Sequence, residues 1–180
     1  IDSATMMNKV FEVIEAKNIF NINFNKIKIL VHSKSYAHAL LKFNNGLIKI
    51  IVHDTNMKIP IFNTLYHESF KNIESKKINL DFLNNLNFKK VDLKKFPLVK
   101  IIKYLPDKSS LFETVLVSAN DELVDLYLRN KIKFIDIHLK LIKFINQKEF
   151  TKYKHIEPSN INEIINLSNY VRLKINSLSI

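Results

Sequence analysis

The chain has 180 residues, enough to bury a core as one domain or as one domain plus a smaller unit, and 47% of them are apolar, which argues against disorder. No apolar run approaches the roughly eighteen residues of a membrane span, no secretory signal opens the sequence, and zero cysteines exclude disulfides and fit a cytoplasmic protein. The net charge of +11 comes almost entirely from scattered lysines, with only Arg129 and Arg172 as arginines, so nucleic acid is not the expected partner.

The opening stretch, Ile1 to Ala16, reads as a helix, because Asp2, Ser3 and Thr5 are capping types and good helix formers follow. At 3.6 residues per turn Asn8, Glu12 and Glu15 share a face, with Lys9 on its flank. Met6, Met7, Val10, Phe11, Val13 and Ile14 cover most of the remainder. Two readings follow from that pattern. One is a core helix whose polar strip reaches solvent. The other is a site helix, with hydroxyl and amide for an anion, a cation beside them and a carboxylate one turn on.

After a polar break at 21–25, residues 26–32 alternate as a half-buried strand does. Runs at 36–43 and 47–53 read as two more strands, joined through Asn44-Asn45-Gly46 as a hairpin in which Gly46, the only glycine, supplies positive φ. The opening helix and these strands are expected to form a first unit, a small antiparallel or mixed sheet covered by helix on one face. His32, His38 and His53 fall in it; their spacing is not diagnostic of zinc and suits ordinary histidines equally. Residues 78–97 read as an extended arm. Helical periodicity returns at 98–105, 112–128 and 135–145, and Pro158-Ser159 starts a last helix through Leu178. The expected chain is α+β: a first domain over 1–75, a connecting arm over 76–97, and a bundle of about four helices over 98–180.

The string Asp2-Ser3-Ala4-Thr5-Met6-Met7-Asn8-Lys9, followed in register by Glu12, resembles the substrate-binding signature of the 1-deoxy-D-xylulose 5-phosphate reductoisomerase family. His32-Ser33-Lys34-Ser35-Tyr36-Ala37-His38 is similar to that family's His-Pro-x-Ser-x-x-His, and Met57 with Pro60-Ile61 matches its loop beside the nicotinamide. Thr55-Asn56 stand where the family has Pro-Asp, and His67 where it has a tryptophan; these departures bear on lid closure and cofactor grip. Leu116 to Glu122 is similar to the family's Leu-Asn-Ala-Ala-Asn-Glu, keeping Ala119 and Asn120, and reads as packing and capping.

The resemblance implies NADPH-dependent rearrangement and reduction of a phosphorylated sugar to 2-C-methyl-D-erythritol 4-phosphate, in isoprenoid precursor synthesis. It implies Lys9 and Glu12 as catalytic residues and Ser3, Asn8 and Lys9 as phosphate binders. Ser35 and His38 would lie near the substrate and Met57 near the cofactor. Glu12 would be a ligand of Mg²⁺ or Mn²⁺, which prefer hard oxygen donors, and Glu15 would hold Lys9 or His38 in place. It also implies a homodimer built on the hairpin, in the cytoplasm or a plastid-like compartment.

The family's signature normally sits mid-chain, so this sequence, which opens on Ile1, is expected to be cut from something longer. The family's upstream Asp-Ser-Glu metal triplet and glycine-rich nucleotide turn have no counterpart in it. Alone it is therefore expected to be inactive, needing the N-terminal portion of the same enzyme. Two other readings stay open: a diverged reductoisomerase-like oxidoreductase acting on a related phosphorylated substrate, and a non-catalytic dimerisation or regulatory remnant.

Overall fold

The computed structural model describes residues 1–66 and 72–178. In chain order its helices are α1 (Asp2–Thr5), α2 (Met7–Phe20), α3 (Lys58–Leu65), α4 (Leu80–Asn84), α5 (Leu111–Leu128), α6 (Phe134–Ile145), α7 (Lys148–Thr151) and α8 (Ile161–Leu178). Its strands are β1 (Leu30–His32), β2 (Ala37–Lys42), β3 (Ile48–Val52) and β4 (Phe88–Lys90), and 3-10 turns lie at Phe24–Lys26, Pro97–Tyr104 and Lys152–His155. The class is α+β, as expected, and the last third is helical.

Packing divides the chain into two compact units, Ile1–Lys28 with Asp92–Ile180, and Ile29–Val91. This grouping differs from the boundaries read off the sequence, which put the opening helix with the strands. The reason is side-chain burial. Met7, Val10 and Ile14 of α2, spaced i, i+3, i+7, enter one apolar core with Leu98 and Ile101, with Phe112, Leu116 and Leu123 of α5, and with Leu141 and Phe144 of α6. Leu167, Val171 and Ile175, a stripe at i, i+4, i+8 along α8, complete that core. Each such side chain contributes about 1.5–3 kcal/mol, more than the polar face of α2 could gain elsewhere.

Helix α5 is the axis of this unit. Ser110 and Glu113 form a capping box at its start, Ser110 Oγ accepting from Phe112 N (3.3 Å) and Glu113 Oε2 from Ser110 N (3.2 Å). Polar contacts fix α8 against it. Ser118 Oγ donates to Ser168 Oγ at 2.8 Å, Arg172 reaches Asp121 at 2.9 Å, and Asn176 Nδ2 donates to Glu122 Oε1 at 2.7 Å.

The second unit contains two two-stranded antiparallel ladders. In one, β2 and β3 pair with Leu40 opposite Ile50 and Leu41 opposite Lys49. The expected hairpin loop is present: Phe43 N donates to Leu47 O at 2.9 Å, and Gly46 takes φ +87°. In the other, β1 pairs with β4, His32 standing opposite Phe88. Residues 78–97 are thus not the extended arm expected. They hold α4, whose N-terminus is capped by Asn79 Oδ1 accepting from Phe82 N at 3.0 Å, and the return strand β4. Strand β1 is shorter than the 26–32 expected, and 98–105 winds as 3-10 rather than α. Helix α3 was read as part of a loop; Pro60 sits in its first turn, where a missing N–H costs nothing.

Candidate active site

The expected site residues fall in two groups, one in each unit. In the first unit the opening segment is not one helix but two. Met6 adopts φ +59°, ψ +20°, closing α1 and opening α2. A left-handed methionine costs on the order of 1–2 kcal/mol and persists only where its surroundings impose it. Here Thr5, buried, spans the break: its Oγ1 donates to the Asp2 carbonyl at 3.2 Å and accepts from Met7 N at 3.3 Å. Asp2 in turn accepts from Asn120 Nδ2 of α5 at 3.1 Å through its carboxylate. Ser3 is exposed on α1 and Asn8 half-buried on the first turn of α2.

Lys9 Nζ donates to both carboxylate oxygens of Glu12, at 2.8 and 2.6 Å. The two side chains remain 44% and 52% exposed. An exposed pair of this kind is worth only about 0–1 kcal/mol, so either partner is readily given up to a ligand. Lys9 therefore meets Glu12 and not Glu15, which is exposed one turn further on. Glu12 offers one hard oxygen donor group of the kind Mg²⁺ prefers. Among the described residues no group of three or more His, Cys, Asp or Glu side chains gathers as a metal cage. The fit to a divalent metal is that of one ligand, to be completed by others.

In the second unit Ser35 is exposed in the turn before β2, at φ +51°, its N–H donating to His32 O at 3.0 Å. His38 falls in a β-bulge between Ala37 and Ala39, a device that re-aims a side chain next to a site. Its ring lies flat on that of His53, centroids 3.5 Å apart and 2° from parallel, with its Nε2 3.2 Å from the His53 carbonyl. His53 Nδ1 is 2.6 Å from the Asp54 carbonyl. His32 is a buried residue beside Phe88, as an ordinary structural histidine would be. Met57, 69% exposed, is the residue from which α3 starts. An open cleft of about 540 Å³ beside it is lined by Asp54, Thr55, Asn56, Glu74, Ser75 and Lys76. All six lining residues are polar types, with no aromatic or aliphatic side chain among them. His67 lies outside the described residues.

Sequence reasoning missed two members of these groups. Asn120, read as packing and capping, anchors Asp2, and only its place at helical spacing between Leu116 and Leu123 on the apolar face of α5 hinted at it. His53 is stacked on His38, and the hairpin register, which sets Ala37 opposite Val52, was the available signal.

The family model described as the DXP reductoisomerase C-terminal domain matches residues 53–174. The 1-deoxy-D-xylulose 5-phosphate reductoisomerase of Pelagibacter ubique (strain HTCC1062) is 59% identical over 180 residues, which are 100% of this chain and 46% of that protein. The enzyme of Sulfurihydrogenibium sp. (strain YO3AOP1) is 33% identical over 179 residues, 98% of this chain and 48% of that protein. Among solved structures, a DOX-P reductoisomerase in complex with magnesium superposes with a TM-score of 0.86 at 27% identity, covering 99% of this chain and 46% of the other. Another, in complex with NADPH, fosmidomycin and magnesium, gives 0.85 at 27% identity, covering 99% and 45%. The chain spans a little under half the length of these relatives. A family model matching most of the chain, and relatives matching it from end to end, lead to one conclusion: the chain belongs to the 1-deoxy-D-xylulose 5-phosphate reductoisomerase family.

Proposed function

We propose that this chain supplies the substrate- and metal-contacting part of a 1-deoxy-D-xylulose 5-phosphate reductoisomerase, acting with an N-terminal portion that binds NADPH. The whole enzyme would rearrange and reduce the sugar phosphate to 2-C-methyl-D-erythritol 4-phosphate, an isoprenoid precursor, in the cytoplasm. The observation that carries the reading is the kinked signature Asp2–Lys9, with Lys9 and Glu12 paired on the first turns of α2.

Ser3 and Asn8 would donate hydrogen bonds to the phosphate, and Lys9, on leaving Glu12, would add charge to the same group or to a substrate hydroxyl. A divalent metal held in part by Glu12, Mg²⁺ or Mn²⁺, would supply Lewis-acid polarisation of substrate oxygens, and NADPH would supply the hydride. Ser35 and His38 would contact the substrate, with the His53 ring and carbonyl fixing the imidazole plane. Met57 would lie against the nicotinamide, and Glu15 would bear on Lys9 once Glu12 is engaged elsewhere. The division of labour proposed is a catalytic domain over 1–75, a connecting arm over 76–97, and a helical domain over 98–180, although the opening helix packs with the last of these.

A homodimer is proposed on the β2–β3 hairpin. Leu40, Leu41, Phe43, Leu47, Ile48, Ile50 and Ile51 are each 41–53% exposed there, an apolar surface that a lone hairpin would leave in water. Among the described residues no helix is long and apolar enough to cross a membrane.

The deciding assay follows NADPH absorbance in the full-length protein on adding 1-deoxy-D-xylulose 5-phosphate and Mg²⁺. Consumption that stops without the sugar phosphate supports the proposal. No consumption, or consumption only with a different phosphorylated sugar, overturns it. The chain alone should be silent in the same assay.

A further inference from the structure

Asn120 occupies the middle of α5, wholly buried, and its neighbours Leu116, Ala119 and Leu123 on the same helix are buried as completely. Such a position ordinarily takes an apolar side chain, because a buried amide must have its polar atoms paired to avoid a desolvation cost. Asn120 is only half paired: Nδ2 reaches Asp2, while Oδ1 has no hydrogen-bond partner among the described residues. Packing alone would favour leucine. What the amide does instead is hold the first turn of the signature.

From that contact a relay runs through the kink. Asn120 Nδ2 donates to the Asp2 carboxylate, Thr5 Oγ1 donates to the Asp2 carbonyl, and Met7 N donates to Thr5 Oγ1. The relay begins on the most deeply embedded helix of the unit and ends on the first residue of α2. Ser3 follows Asp2 and Asn8 follows Met7, so both phosphate donors of the proposed function adjoin a member of it. We infer that Asn120 is a positioning residue for the phosphate-binding segment: through Asp2 it sets the angle between α1 and α2, and with it the spacing of Ser3 and Asn8. The inference rests on the proposed function for its ligand, though not for its mechanics.

The test uses the full-length protein with Asn120→Leu, Asn120→Asp, and the exchanged pair Asp2→Asn with Asn120→Asp. Asn120→Leu keeps the branched shape at a larger volume and loses the donor; Asn120→Asp keeps the volume and sets two carboxylates against each other; the exchange restores one donor and one acceptor. Three quantities are read: KM and kcat for the sugar phosphate, inhibition by inorganic phosphate, and amide hydrogen exchange over residues 3–9. Asn120→Leu should raise KM and weaken phosphate inhibition at least tenfold with kcat changed less, and speed exchange over 3–9 but not along α5 and α8. Asn120→Asp should do the same, and the exchanged pair should recover to within about threefold of the parent. Exchange over 3–9 unchanged in Asn120→Leu, or an exchanged pair no better than Asn120→Asp, overturns the inference. If the parent protein turns over no sugar phosphate, the functional reading falls while the exchange measurement still decides the clamp.

Discussion

Lys17 Nζ stands 4.0 Å from Glu113 Oε1, the two side chains 9% and 14% exposed, joining α2 to the capping box that starts α5. Burial pushes the Glu113 carboxyl above its ordinary value of 4.5, and the Ser110 N–H and the Lys17 ammonium offset part of that rise. The folded state therefore holds this proton more tightly than the unfolded one. Stability contributed by Glu113 is greatest below 4.5 and falls as pH climbs through the raised folded value. Lys17→Met removes the offsetting cation, so the carboxyl should titrate at still higher pH. Carbon-13 NMR titration of the Glu113 carboxyl checks this; a titration moving downward in Lys17→Met would show that the ammonium is not what steadies the charge.

Glu12→Gln should lower turnover of the full-length enzyme roughly 100-fold and shift the Mg²⁺ concentration needed for half activity upward. A neutral amide replaces a charged oxygen ligand and also releases Lys9 from its pair. Glu15→Gln, which breaks no contact with Lys9, should cost far less. Rates measured across a Mg²⁺ series separate the two; equal losses would remove the ligand role from Glu12.

The register of the hairpin lets its two faces be tested apart. Leu40 and Ile50 stand opposite one another on one face, and Ala39 and Ile51 on the other. If the hairpin buries itself against a second copy, Leu40→Lys with Ile50→Lys, or Leu41→Lys with Ile51→Lys, should yield monomers, according to the face used. Sedimentation velocity at high micromolar concentration reads the outcome. A parent protein already monomeric there would end the dimer proposal.

Gly46 carries φ +87°, and a methyl group built on it meets nothing within 4 Å. The cost of Gly46→Ala is therefore conformational rather than steric, about 1–2 kcal/mol. It should appear as faster exchange at the Phe43 amide, which closes the loop on Leu47 O, while Gly46→Asn should be milder. Equal exchange in parent and both variants would mean that the loop is held from elsewhere.

What could be read in advance follows the range of the forces involved. Local signals worked: the Asn44–Gly46 loop, the helical spacing read over 112–128 and 135–145, and the Pro158-Ser159 start of the last helix lie within a few residues of what they specify. Strand β4 escaped because its partner β1 is remote in sequence, and three residues carry too little alternation to declare themselves. The break at Met6 escaped because methionine has no preference for left-handed backbone; Thr5, Asp2 and Asn120 impose it from outside. Of the candidate site, Ser3, Asn8, Lys9 and Glu12 were named from their resemblance to the family's signature, while the Lys9–Glu12 pair was not, Glu15 having been expected to hold Lys9 or His38. The stacking of His53 on His38 needed the bulged register, which no composition announces.

The interleaving of the two units has a consequence for biosynthesis. Met7, Val10 and Ile14 are made long before Leu167, Val171 and Ile175, yet all six share one core. At ribosomal rates of about 5–20 residues per second, the signature helix waits on the order of ten seconds for the partners that bury it. During that wait the nascent chain can complete both ladders of Ile29–Val91, whose contacts are nearer in sequence. The signature helix, made well before α8, is thus enclosed only when α8 arrives, and its apolar face is the stretch a chaperone would meet.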